Sequence, residues 1–271
     1  MLLAVDNEKC LRDSLCILEC PARILVLEED GPVLVEGGEE LCIRCGHCVA
    51  VCPEAALSIG EITPESCRPM DKSQLPDANQ AELFLSSRRS IRTYRREGIS
   101  RETFDKALQI ASRAPTGSNR QPVEWLVIYD RDEVRTVASH VIDWMRFVVQ
   151  HKPEVAEMYN MERIIAGWEE GIDRICRDAP HLVISHASKE IGIAAADCHT
   201  ALAYLELILP ALGAGSCWAG YVMFAASQWQ PLQDFINLPK DHIIHGAAMV
   251  GVPKFSYSRI PPRNQARISY R

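Results

Sequence analysis

Apolar positions along this chain change period twice. Residues 102–114 place Phe104, Ala107, Leu108 and Ala111 at helical spacing, which predicts a helix with one buried face. Residues 125–129 (Trp-Leu-Val-Ile-Tyr) and 181–185 (His-Leu-Val-Ile-Ser) are predicted to be strands, the second entered through Ala179-Pro180. Residues 191–212 are a nearly continuous apolar helix interrupted by Asp197, His199 and Glu206. A helix that is apolar all round must be buried, and a subunit interface is its natural burial. A last strand is expected over residues 245–252, followed by a basic tail over residues 254–271. Strands separated by long helices predict α+β or α/β architecture and exclude a plain helical bundle.

The first 60 residues behave differently. Their apolar runs are short and broken by cysteine, glycine and proline, and they repeat one unit of strand, cysteine loop, short helix and strand. Strands are expected over residues 23–27 and 32–35, around a turn at Glu29-Asp30-Gly31, with residues 56–59 closing the second half. A core this small needs help from bound metal. Residues 61–80 are polar and carry Pro64, Pro69 and Pro76 without apolar periodicity, so they are assigned as a linker. The expected organisation is a small domain over residues 1–60, the linker, and a larger domain over residues 81–271.

A length of 271 residues accommodates that division, and the net charge of -7 argues against nucleic acid as the main partner. No apolar run reaches the roughly 18 residues of a membrane-spanning helix, and the first residues lack the regions of a signal peptide. A cytoplasmic protein with no membrane partner is expected. Of the 11 cysteines, seven fall in two regular frames, while Cys67, Cys176, Cys198 and Cys217 show no ligand spacing and are expected to be small buried apolar residues.

The frames carry the first chemistry. Cys42, Cys45, Cys48 and Cys52-Pro53 form a C-x2-C-x2-C-x3-C-P run. In two-cluster ferredoxins the first three thiolates of such a run serve one cluster and the fourth serves the other. An isolated run would also suit zinc, but a partner half stands upstream at Cys10, Cys16 and Cys20-Pro21, with Asp13 where the second cysteine would fall. Crosswise pairing puts Cys42, Cys45, Cys48 and Cys20 on one 4Fe-4S cluster, and Cys10, Cys16 and Cys52 on a second with Asp13 facing the fourth corner. Carboxylate is a poorer ligand than thiolate for iron in a sulfide cluster, so the second is expected to be 3Fe-4S, or 4Fe-4S with a labile oxygen-ligated iron. A solvated Asp13 beside a three-cysteine cluster is the remaining alternative.

Three segments of the larger domain suit an anionic ligand. Residues 87–92 bring Arg88, Arg89, Ser90 and Arg92 to a turn, a set of forks and a hydroxyl suited to phosphate. Taken alone, the run would equally be a solvated basic face. Residues 114–122 enclose Thr116, Gly117, Asn119 and Gln121 between Pro115 and Pro122, a hydrogen-bonding loop or an ordinary turn. Residues 212–220 combine glycines with Trp218 and Ala219, and end at Gly220, where backbone can approach a ligand closely. The spacing is not a dinucleotide fingerprint.

In this order, with Gly251-Val252-Pro253 and the arginine-bearing tail, the segments resemble the FMN-dependent nitroreductase family over nearly all of residues 83–263, and the whole chain resembles a ferredoxin-fused member. The resemblance implies an α+β domain with a central mixed sheet flanked by helices, behind a duplicated βαβ ferredoxin-like domain. It implies a homodimer with FMN at the subunit interface. Arg88, Arg89 and Ser90 match positions near the ribityl phosphate, Arg92 a position near flavin N1 and O2, and Pro115, Thr116, Gly117, Asn119 and Gln121 the loop laid across the flavin. Trp218, Ala219 and Gly220 match the segment under the ring, and Arg259 or Arg263 the tail arginine on the phosphate. No motif residue is a clear general acid, so no catalytic side chain is assigned. The implied activity is transfer of electrons from an external donor, through the clusters and FMN, to a small-molecule acceptor such as a nitroaromatic, quinone or enone. An electron-carrying or redox-sensing flavoprotein, and a flavin-fragmenting or dehalogenating relative, are the alternatives. The aromatic stretch of residues 144–174 is either a cover for the site or plain helical core.

Overall fold

The computed structural model describes residues 2–271, which divide into two compact units. The first runs up to Leu75 and takes in Ser118–Arg120; the second comprises Pro76–Gly117 and Gln121–Arg271.

In the first unit, β1 (Leu3–Val5) pairs antiparallel with β4 (Leu57–Ile59), so the two ends of the duplication close on each other. Between them lie α1 (Leu15–Leu18), the hairpin of β2 (Leu25–Glu28) and β3 (Gly31–Leu34), α2 (Gly38–Leu41) and α3 (His47–Val51). The duplication extends to single backbone angles. Arg12 and Arg44, Ser14 and Gly46, and Arg23 and Ala55 occupy equivalent places in the two frames, and all six have positive φ. Only glycine takes this conformation without steric cost, yet five of the six are other residue types, so each cysteine loop is held in its wrapped shape against local preference. The apolar core is small: Leu3, Leu25, Val49, Leu57 and Ile59 pack with the sulfur atoms of Cys16 and Cys48.

The second unit opens with α4 (Ala78–Ser87), which starts inside the stretch assigned as linker. Its start is set by a capping box: the Asp77 side chain accepts from Gln80 N at 2.9 Å, and the Gln80 side chain accepts from Asp77 N at 3.0 Å. There follow α5 (Arg101–Ala111), β5 (Glu124–Ile128), α6 (Arg131–His151), α7 (Pro153–Met158), α8 (Met161–Glu169) and β6 (His181–Ser188). The chain continues through α9 (Ala194–Ile208), β7 (Gly215–Trp218), α10 (Gly220–Ala226), α11 (Gln230–Ile236) and β8 (His242–Gly251). The expected helix over residues 191–212 is shorter as α-helix: Pro210 has no N–H to donate, and the chain tightens into a 3-10 turn from Leu209.

The α+β class holds, but the sheet is not mixed. Its order is β5-β6-β8-β7, and every adjacent pair is antiparallel. The reason is topological: α9 carries the chain from β6 to β7, which run in the same direction, and β8 then returns between them. Helices cover both faces. Leu182, Ile184, Ala247 and Met249 pack with α6, α8, α10 and α11, while Val183, Ala248 and Val250 pack with α5 and α9. Of the aromatic stretch, Trp144 is core on α6, whereas Phe147 and Tyr159 are exposed. Cys176, Cys198 and Cys217 are buried as expected, and Cys67 is half-buried.

His181 begins β6 and is buried. Its Nε2 accepts from Ile99 N at 2.9 Å while its Nδ1 lies 2.7 Å from the Tyr129 carbonyl, so the fold requires a neutral ring protonated on Nδ1. Burial accordingly holds its pKa below the ordinary histidine value. As pH falls through about 6.5 the unfolded chain takes up this proton and the folded chain does not, so stability present above that value is lost on acidification. All five tryptophans (Trp125, Trp144, Trp168, Trp218 and Trp229) lie in the second unit and report its unfolding. The tryptophan-monitored midpoint should fall between about pH 7.5 and pH 5.5, and His181→Gln should flatten that dependence. An unchanged pH profile in the variant would remove His181 as a cause.

Candidate functional site

Two cavities of the first unit are lined by the two predicted ligand sets. Cys20, Cys42, Cys45 and Cys48 line one, and Cys10, Asp13, Cys16 and Cys52 line the other. The last cysteine of each frame crosses to the other frame's cavity because the short helices α1 and α3 lead it away from its own loop. The walls are apolar: Ile24 and Leu25 border the first cavity, Val5 and Leu57 the second. Burial pushes the Cys48 thiol up to about 11 and raises that of Cys16, so a metal must displace these protons to bind. Ala56 N donates to Cys52 Sγ at 3.3 Å, a backbone dipole aimed at the sulfur. Asp13 faces the second cavity, with its Oδ1 accepting from Leu15 N at 3.1 Å.

The second unit brings two of its three predicted segments together through a residue that the motifs did not include. Glu206, buried on α9, accepts from Arg88 Nη1 at 3.2 Å through one oxygen and from Trp218 Nε1 at 2.9 Å through the other. Arg88 is therefore committed to a carboxylate. Arg89 caps the end of α4, donating to the carbonyls of Ser86 and Arg88, and its buried Nε has no partner. Arg92 is exposed, with one long contact to the Ser90 carbonyl at 3.4 Å. Ala219 N is fixed on the Ala247 carbonyl at 2.8 Å, and a Cβ built on Gly220 would meet nothing within 4 Å, so the backbone there is open to close approach.

The loop after α5 is tied to α9 as well. Gly117 N donates to Asp197 Oδ1 at 3.0 Å, and Thr116 Oγ1 accepts from Gln121 N at 3.1 Å. Pro115 is exposed, and Asn119 groups with the first unit. Asp197 is buried, and its Oδ2 has no partner. Arg259 and Arg263 lie in the exposed tail, which has no regular structure, and no described hydrogen bond brings them to the other arginines. Asp197 and Glu206 were legible only as polar interruptions of an apolar helix. Such residues stay in a core only when paired, which was the available signal. An orphaned donor on Arg89, an open backbone at Gly220 and a fixed indole at Trp218 together fit an anionic, flat ligand of the flavin mononucleotide type.

Comparison with known proteins places both parts of the chain in known families. Residues 85–252 match the nitroreductase family model, and residues 8–57 match the 4Fe-4S dicluster domain. A putative NADH dehydrogenase/NAD(P)H nitroreductase of Archaeoglobus fulgidus is 25% identical over 171 residues, covering 63% of this chain and 84% of that protein. An iodotyrosine deiodinase of Thermotoga neapolitana is 23% identical over 190 residues, covering 69% and 95%. Among solved structures, a nitroreductase with bound FMN from Bacteroides fragilis aligns with a TM-score of 0.55 at 17% identity, over 70% of this chain and 96% of that one. Among the described residues no helix is long and apolar enough to cross a membrane. Because the matched stretch is well over half of a chain whose arginine turn and Trp-Ala-Gly segment meet on one buried carboxylate, this protein belongs to the nitroreductase family, preceded by a 4Fe-4S dicluster domain.

Proposed function

We propose that this protein is an FMN-dependent oxidoreductase that takes electrons through two iron-sulfur clusters and delivers them to a small organic acceptor of the nitroaromatic, quinone or enone class. The observation that carries the reading is the sorting of the cysteines into two sets of ligands around two cavities, in a chain whose other unit has the nitroreductase fold. Cys20, Cys42, Cys45 and Cys48 would hold a 4Fe-4S cluster; Cys10, Cys16 and Cys52 would hold the second, with Asp13 at its fourth corner. Clusters carry one electron at a time, whereas FMN, when bound, accepts one or two and supplies hydride chemistry to the acceptor.

The residues divide the remaining work. Arg89, Ser90 and Arg92 bind the phosphate and the anionic edge of the cofactor, joined by Arg259 or Arg263 from the tail. Arg88 acts through Glu206, holding Trp218 under the ring, and the Gly220 amide donates toward flavin N5. Pro115, Thr116, Gly117, Asn119 and Gln121 form the loop across the flavin. Helix α4 leaves Leu83, Phe84 and Leu85 exposed, which supports a homodimer that covers them. No side chain of this set is a clear general acid, so the final proton comes from water or from the acceptor. Because the clusters take up electrons one at a time, the external donor is a reduced one-electron carrier.

Three outcomes test this reading. Protein photoreduced under argon should be reoxidised by a nitrobenzoate, a benzoquinone or an enone. Failure with all three, together with rapid electron exchange with a carrier protein, would make it an electron carrier; iodotyrosine as the sole acceptor would make it a dehalogenase.

Arg92→Ala should weaken FMN binding by about one to two decades, the loss of a charge-assisted contact of roughly 1.5 to 3 kcal/mol, without lowering the unfolding midpoint of the flavin-free protein. Arg88→Ala should lower both, because it leaves the Glu206 carboxylate buried and uncompensated. Flavin fluorescence titration and thermal unfolding separate the two, and wild-type affinity in Arg92→Ala would remove that residue from the site.

Asp13→Cys completes four thiolates at the second cavity and should give two 4Fe-4S clusters per chain. Wild type should then contain one iron fewer and show the spin signal of a three-iron centre when oxidised, or else match in iron and lose a corner iron faster under oxidation. Identical iron content, spectra and oxygen sensitivity would mean that position 13 has no part in the cluster.

A further inference from the structure

We propose that Glu124, His186 and His242 form a binding site for one divalent first-row transition-metal ion on the sheet of the second unit, separate from the flavin and cluster sites. One ligand atom from each residue lies within 4.8 Å of the others. His186 Nδ1 and His242 Nδ1 are 2.9 Å apart, and His242 Nε2 is 3.8 Å from Glu124 Oε1. Metal-ligand bonds of about 2.1 Å place two ligand atoms of one ion roughly 3 to 3.5 Å apart; the two Nδ1 atoms already stand close to that separation, and the exposed Glu124 side chain has only to swing its carboxylate from the far nitrogen of His242 toward them. Two imidazoles with one carboxylate suit zinc, iron or nickel, and are too rich in nitrogen for magnesium or calcium.

The backbone builds this juxtaposition. Glu124 on β5 stands directly opposite His186 on β6, which puts both side chains on one face of the sheet. Between β6 and β8 the register shifts: Ser185 faces Gly246, but His186 faces Ile244, leaving His245 as an extra residue in β8. Beyond this bulge Ser188 faces His242, so His242 shares the face of His186. Without the extra residue the alternation of β8 would be reversed and His242 would point to the other face. The bulge therefore re-aims a histidine onto a histidine. His186 is buried, His242 half-buried and Glu124 exposed, which leaves one side open for an ion to reach the set. The site is also far from Trp218, which pairs with Ala248: on β6 the positions facing Ala248 and His242 are Val183 and Ser188, roughly 17 Å of strand apart.

Nickel is a suitable probe because it is not an expected component of the thiolate sites. Cluster-loaded, FMN-loaded full-length protein is dialysed anaerobically against Ni2+ alone, and bound nickel is measured per chain. Wild type should take up one nickel, with at least tenfold weaker binding in Glu124→Gln and none in His242→Ala. The tryptophan-monitored unfolding midpoint should rise with nickel in wild type and stay fixed in His242→Ala. Absence of nickel in wild type, or equal uptake by wild type and both variants, overturns the proposal. If His242→Ala does not fold, Glu124→Gln, at an exposed position outside the core, decides the question by itself.

Discussion

The buried carboxylate of Glu206 is the point on which the second unit's site is assembled. A charge in a helix otherwise lined by Ala201, Leu202 and Leu205 is costly unless it is paired and hydrogen-bonded, and here both oxygens are used. Arg88 and Trp218 lie far apart in sequence, so satisfying one carboxylate fixes both the turn after α4 and the end of β7. A second buried carboxylate, in the first turn of the same helix, does similar work: Asp197 holds Gly117 and with it the loop after α5. The helix that fills the core between α5 and the sheet thus also sets the positions of three loops.

In the first unit the governing constraint is covalent spacing and not burial. Each cysteine loop is bent through left-handed residues at matching places in the two halves, and the small apolar core offers little to offset that strain. Metal binding is the natural compensation, since thiols buried against apolar walls are held protonated until a metal takes the proton's place. The halves differ where Asp13 replaces sulfur with oxygen. The backbone of that loop is conserved between the halves in spite of the change, so the difference is one of ligand chemistry on an unchanged frame.

The sheet shows how topology and local irregularity divide the labour. Returning β8 between β6 and β7 makes all neighbours antiparallel and leaves both faces covered by helices. One extra residue in β8 then reverses the alternation of everything before it, and the first turn of that strand presents His242 on the face that carries His186 and Glu124. A feature of one residue decides which side chains meet.

By itself the sequence determined what depends on spacing along the chain. The cysteine frames and their crosswise pairing follow from intervals of two and three residues, which a short loop translates directly into geometry. The helix over residues 102–114 and the strands at residues 125–129 and 181–185 follow from apolar periodicity, with their ends displaced by a few residues. The likeness of the arginine turn, the amide loop and the Trp-Ala-Gly segment to the nitroreductase pattern was equally a matter of local motifs in order. Tertiary structure decided what depends on residues remote in sequence: that Arg88 is neutralised by Glu206, that the sheet is antiparallel throughout, and that Glu124, His186 and His242 converge. Hydrogen bonds and strand registers of this kind act over a few ångströms between segments tens of residues apart. No periodicity or local spacing encodes them, because they are selected only when the whole chain competes for a single packed arrangement.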